Sequence, residues 1–354
     1  MKNKIIVFSF LGYIIFFALA HIIIPDMDIS TTERRKLKTF PKFELNNTYI
    51  TKIDEYLLDH FPFRDEFRSI KANYNFKFLN HLDNNGIYLS NNYIFKTEYP
   101  TNKESINKFK NNTEKLINLL SEDNKVYMLI VPDKNYYLED KNFLHIDYDY
   151  IYNEVNSIDV TKVDIRNLME LNDYYETDTH WKQERILKVV QELDKEMNFG
   201  YQKDEYEKIN FDKFYGVYYG ESALNRNPER LTYLVNDDIL NAKVTYLENE
   251  KLITVYNEEK LNSLDAYEVY LDGASSFIEI YNENNKTGKE LVIFRDSFGS
   301  SITPLLIPYY SKITVIDNRY IASDYLKNYI EFTNQDVLFL YSTLIVNNSG
   351  SLKG

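Results

Sequence analysis

The longest apolar pattern in the chain comes first. Behind Lys2 and Lys4, the positions from Ile5 to Ile24 carry no charge. A run of about 20 residues, at 1.5 Å rise each, crosses a hydrocarbon core of about 30 Å. With the basic flank retained in the cytoplasm, the rest of the chain is expected outside. Ala18-Leu19-Ala20 offers a competing signal-peptide cleavage site. Cleavage there would leave His21-Ile22-Ile23-Ile24 as an apolar tail, so an uncleaved anchor over 1–24 is the preferred reading. Pro25 then stops the helix, and Arg34, Arg35 and Lys36 lie just beyond. Positions 48–80 have helical character, broken at Phe61-Pro62-Phe63-Arg64-Asp65. Asn84-Asn85-Gly86 is a turn, and Ile87-Tyr88-Leu89 with Tyr93-Ile94-Phe95 read as a hairpin. Ile106, Phe109, Leu116, Ile117 and Leu120 repeat at helical spacing over 102–121.

From there the pattern changes to continuous apolar runs, as expected of strands buried on both faces. Four such runs stand out: Val126 to Val131, Glu290 to Phe294, Ile313 to Ile316, and Val337 to Leu340. Helical stretches at 299–310 and 321–332 separate the last three. This βαβαβ order predicts a mostly parallel sheet with right-handed crossovers. Residues 200–285 are polar, Tyr-rich and strand-like in short pieces, which suggests an irregular β-rich insertion. The expected organisation is an anchor at 1–24, a segment of stalk, helices and hairpin at 25–100, and an α/β domain at 101–345.

Composition narrows the chemistry. The 354 residues carry a net charge of −13 with no long basic run, which argues against nucleic-acid binding. Cysteine is absent, excluding disulfides, thiolate-bound metals and thiol nucleophiles. Five histidines leave little room for a metal centre, and neither metal nor cofactor is expected. The 32 Tyr and 22 Phe fit both an AT-rich genome and carbohydrate-stacking surfaces.

Ligands in open parallel sheets bind at the carboxyl ends of strands. Ser297 follows such an end, at a strand-to-helix turn where a hydroxyl projects and backbone N–H groups face an oxyanion. A serine nucleophile needs a base, and the base needs an orienting carboxylate. Thr177-Asp178-Thr179-His180-Trp181 supplies both, in a tight turn expected to enter an amphipathic helix bearing Ile186, Leu187, Val190, Leu193 and Met197, so that the motif sits at a helix N-terminus. The plain alternative is a helix cap at Asp178 or Thr179. Tyr215, Tyr218 and Tyr219 around Gly216 are candidates for a sugar-facing wall, or for packing within the insertion.

Taken together, Thr177-Asp178-Thr179-His180-Trp181 and Arg295-Asp296-Ser297-Phe298 resemble the DHHW family and the AlgX/AlgJ-like group of SGNH-hydrolase folds. Glu33-Arg34-Arg35-Lys36-Leu37, Asp59-His60-Phe61-Pro62-Phe63-Arg64-Asp65, Val131-Pro132-Asp133-Lys134, Tyr267 with Leu271-Asp272-Gly273, and Asp317-Asn318-Arg319-Tyr320 strengthen the likeness. The resemblance implies a circularly permuted SGNH-like domain in which the His block precedes the Ser block by 117 residues. It also implies a Ser297–His180–Asp178 triad and O-acetylation of a polysaccharide, with acetyl supplied through a membrane-bound O-acyltransferase. Arg295 stands where many SGNH blocks have glycine, and the Gly and Asn oxyanion blocks are not recognisable. By strand order, Arg295, Asn318, Arg319 and Ser342 become the oxyanion or substrate candidates. An acetylesterase with the same triad and a non-catalytic glycan-binding envelope protein stand as alternatives.

Overall fold

The computed structural model describes residues 2–138, 143–203, 205–247 and 254–353. Parts of the 200–285 stretch, at 204 and 248–253, therefore lie outside the described residues. The chain divides into two compact units. The first comprises residues up to Ile87 together with Tyr219–Arg226; the second comprises Tyr88–Tyr218 and the chain from Asn227 on.

In the first unit, α1 (Lys2–Ile23) contains a 21-residue segment, Asn3–Ile23, long and apolar enough to cross a membrane. α2 (Asn47–Asp59) starts at Asn46, whose side chain accepts the Tyr49 N–H. Pro62 disfavours helix at the residue before it, Phe63 turns left-handed at φ 60, and α3 (Arg64–Asn73) begins. Charge then locks the segment. Arg35 grips Asp59 with two hydrogen bonds of 2.9 and 2.5 Å. Glu33 meets Arg64 at 2.6 Å and Arg68 at 3.3 Å. The Arg68 guanidinium also donates to the Gly220 carbonyl at 3.0 Å.

The second unit opens with the hairpin Ile87–Ser90 and Tyr93–Lys96, most of it in this unit. Its turn is Asn91-Asn92, both at positive φ, as a tight primed turn requires. The unit is built on a seven-stranded sheet. Its strands in chain order are β1 (Lys125–Val131), β2 (Thr161–Val163), β3 (Lys243–Tyr246), β4 (Phe277–Tyr281), β5 (Glu290–Arg295), β6 (Lys312–Ile316) and β7 (Asp336–Ser342). The spatial order is β3-β4-β6-β5-β7-β1-β2. β6, β5, β7, β1 and β2 run parallel, and β3 and β4 add antiparallel at one edge. This is the expected mostly parallel α/β architecture.

Alternate strand residues enter two cores, which is why the runs show no polar alternation. Leu129, Val131, Leu291, Ile293, Leu338 and Leu340 pack on one face with α6 (Leu187–Met197) and α8 (Phe298–Leu306). Met128, Ile130, Val292, Phe294, Val337 and Phe339 fill the other face with α4 (Lys103–Ile117) and α5 (Tyr148–Asn156). α7 (Val217–Ser222) starts in this unit and passes into the first at Tyr219.

Three expectations need correction. The helix over 321–332 is a single turn, Ser323–Leu326, followed by a turn at 327–329, and the rest of that stretch is irregular. The 200–285 stretch is only partly a separate insertion: Glu207–Phe214 pairs with Glu229–Val235, but β3 and β4 extend the main sheet. The Asp178–His180 motif does not open a helix either. It occupies a loop whose ends meet in an antiparallel bridge between Tyr174 and Trp181, and α6 begins only at Leu187.

Candidate active site

Register in the parallel sheet fixes the Ser297 turn. Arg295 pairs with Leu340, and the next amide, Asp296 N–H, donates to the Leu340 carbonyl at 3.3 Å. Asp296 is buried. One carboxylate oxygen accepts the Phe298 N–H at 2.9 Å; the other accepts the Ser342 N–H at 2.8 Å and the Ser342 hydroxyl at 2.6 Å. These bonds tie the turn to the neighbouring strand and launch α8. Gly299 is needed there, because a Cβ would collide with the Arg295 side chain. Ser297 is half-buried at the helix start, and its own N–H has no acceptor among the described residues.

His180 approaches from the loop. Its Nε2 lies 2.7 Å from Ser297 Oγ, and its Nδ1 lies 2.6 Å from Asp178 Oδ1. The ring stacks on Tyr267 at 3.9 Å between centroids and 7° between planes, with Phe298 at 5.0 Å. Tyr267 is itself fixed, its hydroxyl donating to Ser301 Oγ, which also accepts the Trp181 indole N–H, both at 2.8 Å. Asp178 also accepts the His180 N–H at 3.0 Å and the Val217 N–H at 2.8 Å. Burial alone would raise the Asp178 carboxyl. The imidazole charge and these hydrogen bonds outweigh it and hold Asp178 well below the usual carboxylate range.

The loop is held from behind by residues to which the sequence reading gave no role. The Lys134 ammonium is buried and donates to three loop carbonyls: Tyr175 at 3.1 Å, Glu176 at 3.2 Å and Asp178 at 2.7 Å. Its environment includes the rings of Tyr93, Phe95 and Tyr218. Burial brings Lys134 down to about 7, against the pull of Asp178, Glu229, Asp133 and Glu176. Glu229 accepts the N–H groups of Glu176 and Thr177 and the Thr177 hydroxyl, at 2.5–2.7 Å. Gly216 donates to Thr177 Oγ1 at 2.9 Å, and a Cβ on Gly216 would collide with the Thr177 backbone. Val131-Pro132-Asp133-Lys134 was visible as a motif; nothing in the sequence pointed to Glu229.

The remaining candidates have internal partners. Arg295 is fully buried, with Asp317 at 3.6 Å and the Gly273 carbonyl at 3.2 Å, and its Nε has no partner among the described residues. That carbonyl belongs to a run of left-handed residues, Leu271, Asp272 and Gly273. Arg319 makes a two-point contact with Asp317 at 2.9 and 2.6 Å. Asn318 accepts the Tyr341 hydroxyl at 2.8 Å, and Ser342 serves Asp296. Tyr218 is only 7% exposed and lies beneath the Lys134 ammonium. Its ring packs behind the loop, and the expectation of a sugar-facing ring is corrected accordingly. Tyr219 lies in the first unit, lining a cavity of about 410 Å³ with Thr32, Asp65 and Arg68.

With the geometry known, the architecture can be placed among solved structures. The chain shares its fold with a DHHW family protein. That protein, from Eubacterium siraeum, is 19% identical, with 77% of this chain and 97% of that chain covered at a TM-score of 0.64. PatB1 of Bacillus cereus, solved with a sulfonyl adduct, is 17% identical over 76% of this chain and 97% of its own, at 0.59. The O-acetyltransferase domain of Pseudomonas putida AlgJ is more distant, at 13% identity and 0.41, over 74% of this chain and 92% of its own. No family model matches the sequence, and no curated protein does.

Proposed function

We infer that this chain is an extracytoplasmic O-acyltransferase, anchored in the membrane by α1, that transfers acetyl groups to hydroxyls of a cell-surface polysaccharide or exopolysaccharide. One observation carries the reading: the line of short hydrogen bonds from Asp178 through His180 to Ser297, at 2.6 and 2.7 Å. That line is the arrangement an activated serine needs.

The reaction follows from it. Ser297 Oγ attacks the acetyl carbonyl of the donor while its proton passes to His180 Nε2. Asp178 keeps the Nδ1 tautomer and offsets the imidazolium charge. The Ser297 N–H, which has no acceptor among the described residues, meets the oxyanion; one such donor is worth roughly 10²–10³ in rate. Collapse releases the donor's leaving group with the proton from His180 and leaves acetyl-Ser297. The acceptor hydroxyl then gives its proton to His180 and attacks the acyl carbon; as the acyl–Oγ bond breaks, His180 returns that proton to Ser297 Oγ. The steps require no metal or cofactor. In this scheme a membrane-bound O-acyltransferase delivers the acetyl group.

PatB1 adds support, because sulfonyl electrophiles react with activated hydroxyl nucleophiles and that fold was solved bearing a sulfonyl adduct. The test is to treat the detergent-solubilised full chain with a sulfonyl fluoride and map the adduct by mass spectrometry. Modification at Ser297 that vanishes in His180→Ala is the expected result. An unmodified Ser297 overturns the nucleophile. Incubation with an activated acetyl ester and a glycan oligomer then separates the two enzymatic readings: acetylated glycan supports transfer, and free acetate alone means an esterase.

A further inference from the structure

Helix α3 is inside-out. In a water-soluble unit a surface helix turns its apolar stripe inward and its charges outward. Here two arginines point inward, Arg64 and Arg68 to Glu33 and Arg68 to the Gly220 carbonyl, while Asp65, Glu66 and Lys71 stay exposed. Small Ala72 is the helix's buried residue. The apolar stripe lies on the opposite side of the helix, meeting α1 at Phe63 and Phe67 and exposed beyond. Phe63, Phe67, Ile70, Tyr74 and Phe78 recur at helical spacing through α3 and the turn of π-helix that continues it, Tyr74–Phe78. Ile70 is 64% exposed and Phe78 is 76% exposed, and Leu79 and Leu82 just beyond the π-helix are exposed as well. A patch of this extent on a single unit marks an interaction surface.

The neighbour of the stripe says what covers it. Phe16 of α1 stacks on Phe63 at 6.4 Å between centroids; Phe17 meets Phe61 at 5.3 Å and Phe67 at 5.9 Å. Phe17 lies six residues before the end of α1, about 9 Å of helix. If α1 spans the bilayer, Phe61, Phe63 and Phe67 sit at that depth, below the surface from which the chain emerges. We propose that the outward face of α3 and its π-helical extension is seated in the outer leaflet, as an interfacial helix that docks the first unit onto lipid. Exposed Lys71 and Lys77 flank the stripe, and their stems are long enough to carry the ammonium groups up to the headgroup phosphates. The proposal rests on the reading of α1 as a membrane span, and the experiment keeps the two apart.

The chain has no cysteine, so single sites can be spin-labelled without background. Full-length variants Ile14→Cys, Ile70→Cys, Phe78→Cys and Lys286→Cys are labelled with a nitroxide and reconstituted in vesicles of phosphatidylcholine and phosphatidylglycerol. Collision rates with oxygen and with a water-soluble nickel chelate are then compared. The expected result is oxygen in excess at positions 14, 70 and 78, and nickel in excess at 286. Lipid exposure at 14 with nickel in excess at 70 and 78 overturns the proposal and leaves the anchor intact. Nickel in excess at 14 removes the anchor itself. Shielding from both reagents at 70 and 78 means a protein surface covers the stripe, which also overturns the proposal.

Discussion

Ser297 and the Asp178–His180 pair reach the same point by different means. Ser297 is delivered by regular backbone: parallel register carries it to the end of β5, and α8 starts beneath it. The loop from Tyr174 to Trp181 has no regular secondary structure of its own. Its shape is set by Lys134, Glu229, Gly216 and the Val217 N–H, each brought from elsewhere in the sequence. A turn held by a sheet has many redundant supports. A loop held by a few buried polar groups fails when one of them is removed, because the partners left behind cannot reach water.

The predictions sharpen that contrast. Ser297→Ala and His180→Ala remove the reacting groups and are expected to lower kcat on an acetyl ester by roughly 10⁴–10⁶; Ser297→Ala should leave thermal unfolding little changed, whereas His180→Ala also strands the buried Asp178 carboxylate and should lower it. Asp178→Asn is expected to cost roughly 10⁴ in kcat. It also carries a pH signature. The Asp178 carboxyl is lower in the folded state than in the unfolded one, so its stabilisation is fully present above about pH 4 and fades as the pH drops further. The unfolding free-energy gap between wild type and Asp178→Asn, measured by urea titration, should therefore narrow on acidification. A constant gap would remove the charged pair from the stability of the loop.

The supports come next. Lys134→Met strands three carbonyls, and a loss of about 3–5 kcal/mol in unfolding free energy is expected, accompanied by a fall in kcat. On the sheet side Ser342→Ala removes one bond to Asp296 but leaves the Ser342 and Phe298 amides in place. A cost of about 1–2 kcal/mol with kcat within a few-fold of wild type is expected. If Ser342→Ala proves as damaging as Lys134→Met, the distinction between a redundant turn and a fragile loop collapses.

The same contrast explains what was legible in the sequence. Unbroken apolar runs announce strands buried on both faces, so β1, β5, β6 and β7 and the position of Ser297 at a strand end were readable. The pairing of Ser297 with His180 was suggested by residue type and by resemblance, since no local pattern reports contact across 117 residues. The loop was misread as a helix entry because D-x-H also matches a cap, and the deciding bonds come from Glu229 and Lys134. β3 and β4 read only as pieces of an insertion because both are short and interrupted by polar residues, Lys243 and Thr245 in β3 and Glu279 in β4. Asn318, Ser342 and Arg295 were found as positions at strand ends, but strand order says nothing of a side chain's partner, and each is bonded within the protein.

The margins of the sheet have a consequence of their own. At one side lies β2, with only Thr161 to Val163; at the other lies β3, with only Lys243 to Tyr246 and a lysine leading. A sheet margin is a template on which a second chain can add its own strand, and short, charged margins blunt it. A chain tethered in a plane meets its copies far more often than one free in solution. Under the proposed anchoring by α1, blunt margins let many copies crowd one membrane patch without zipping together edge to edge.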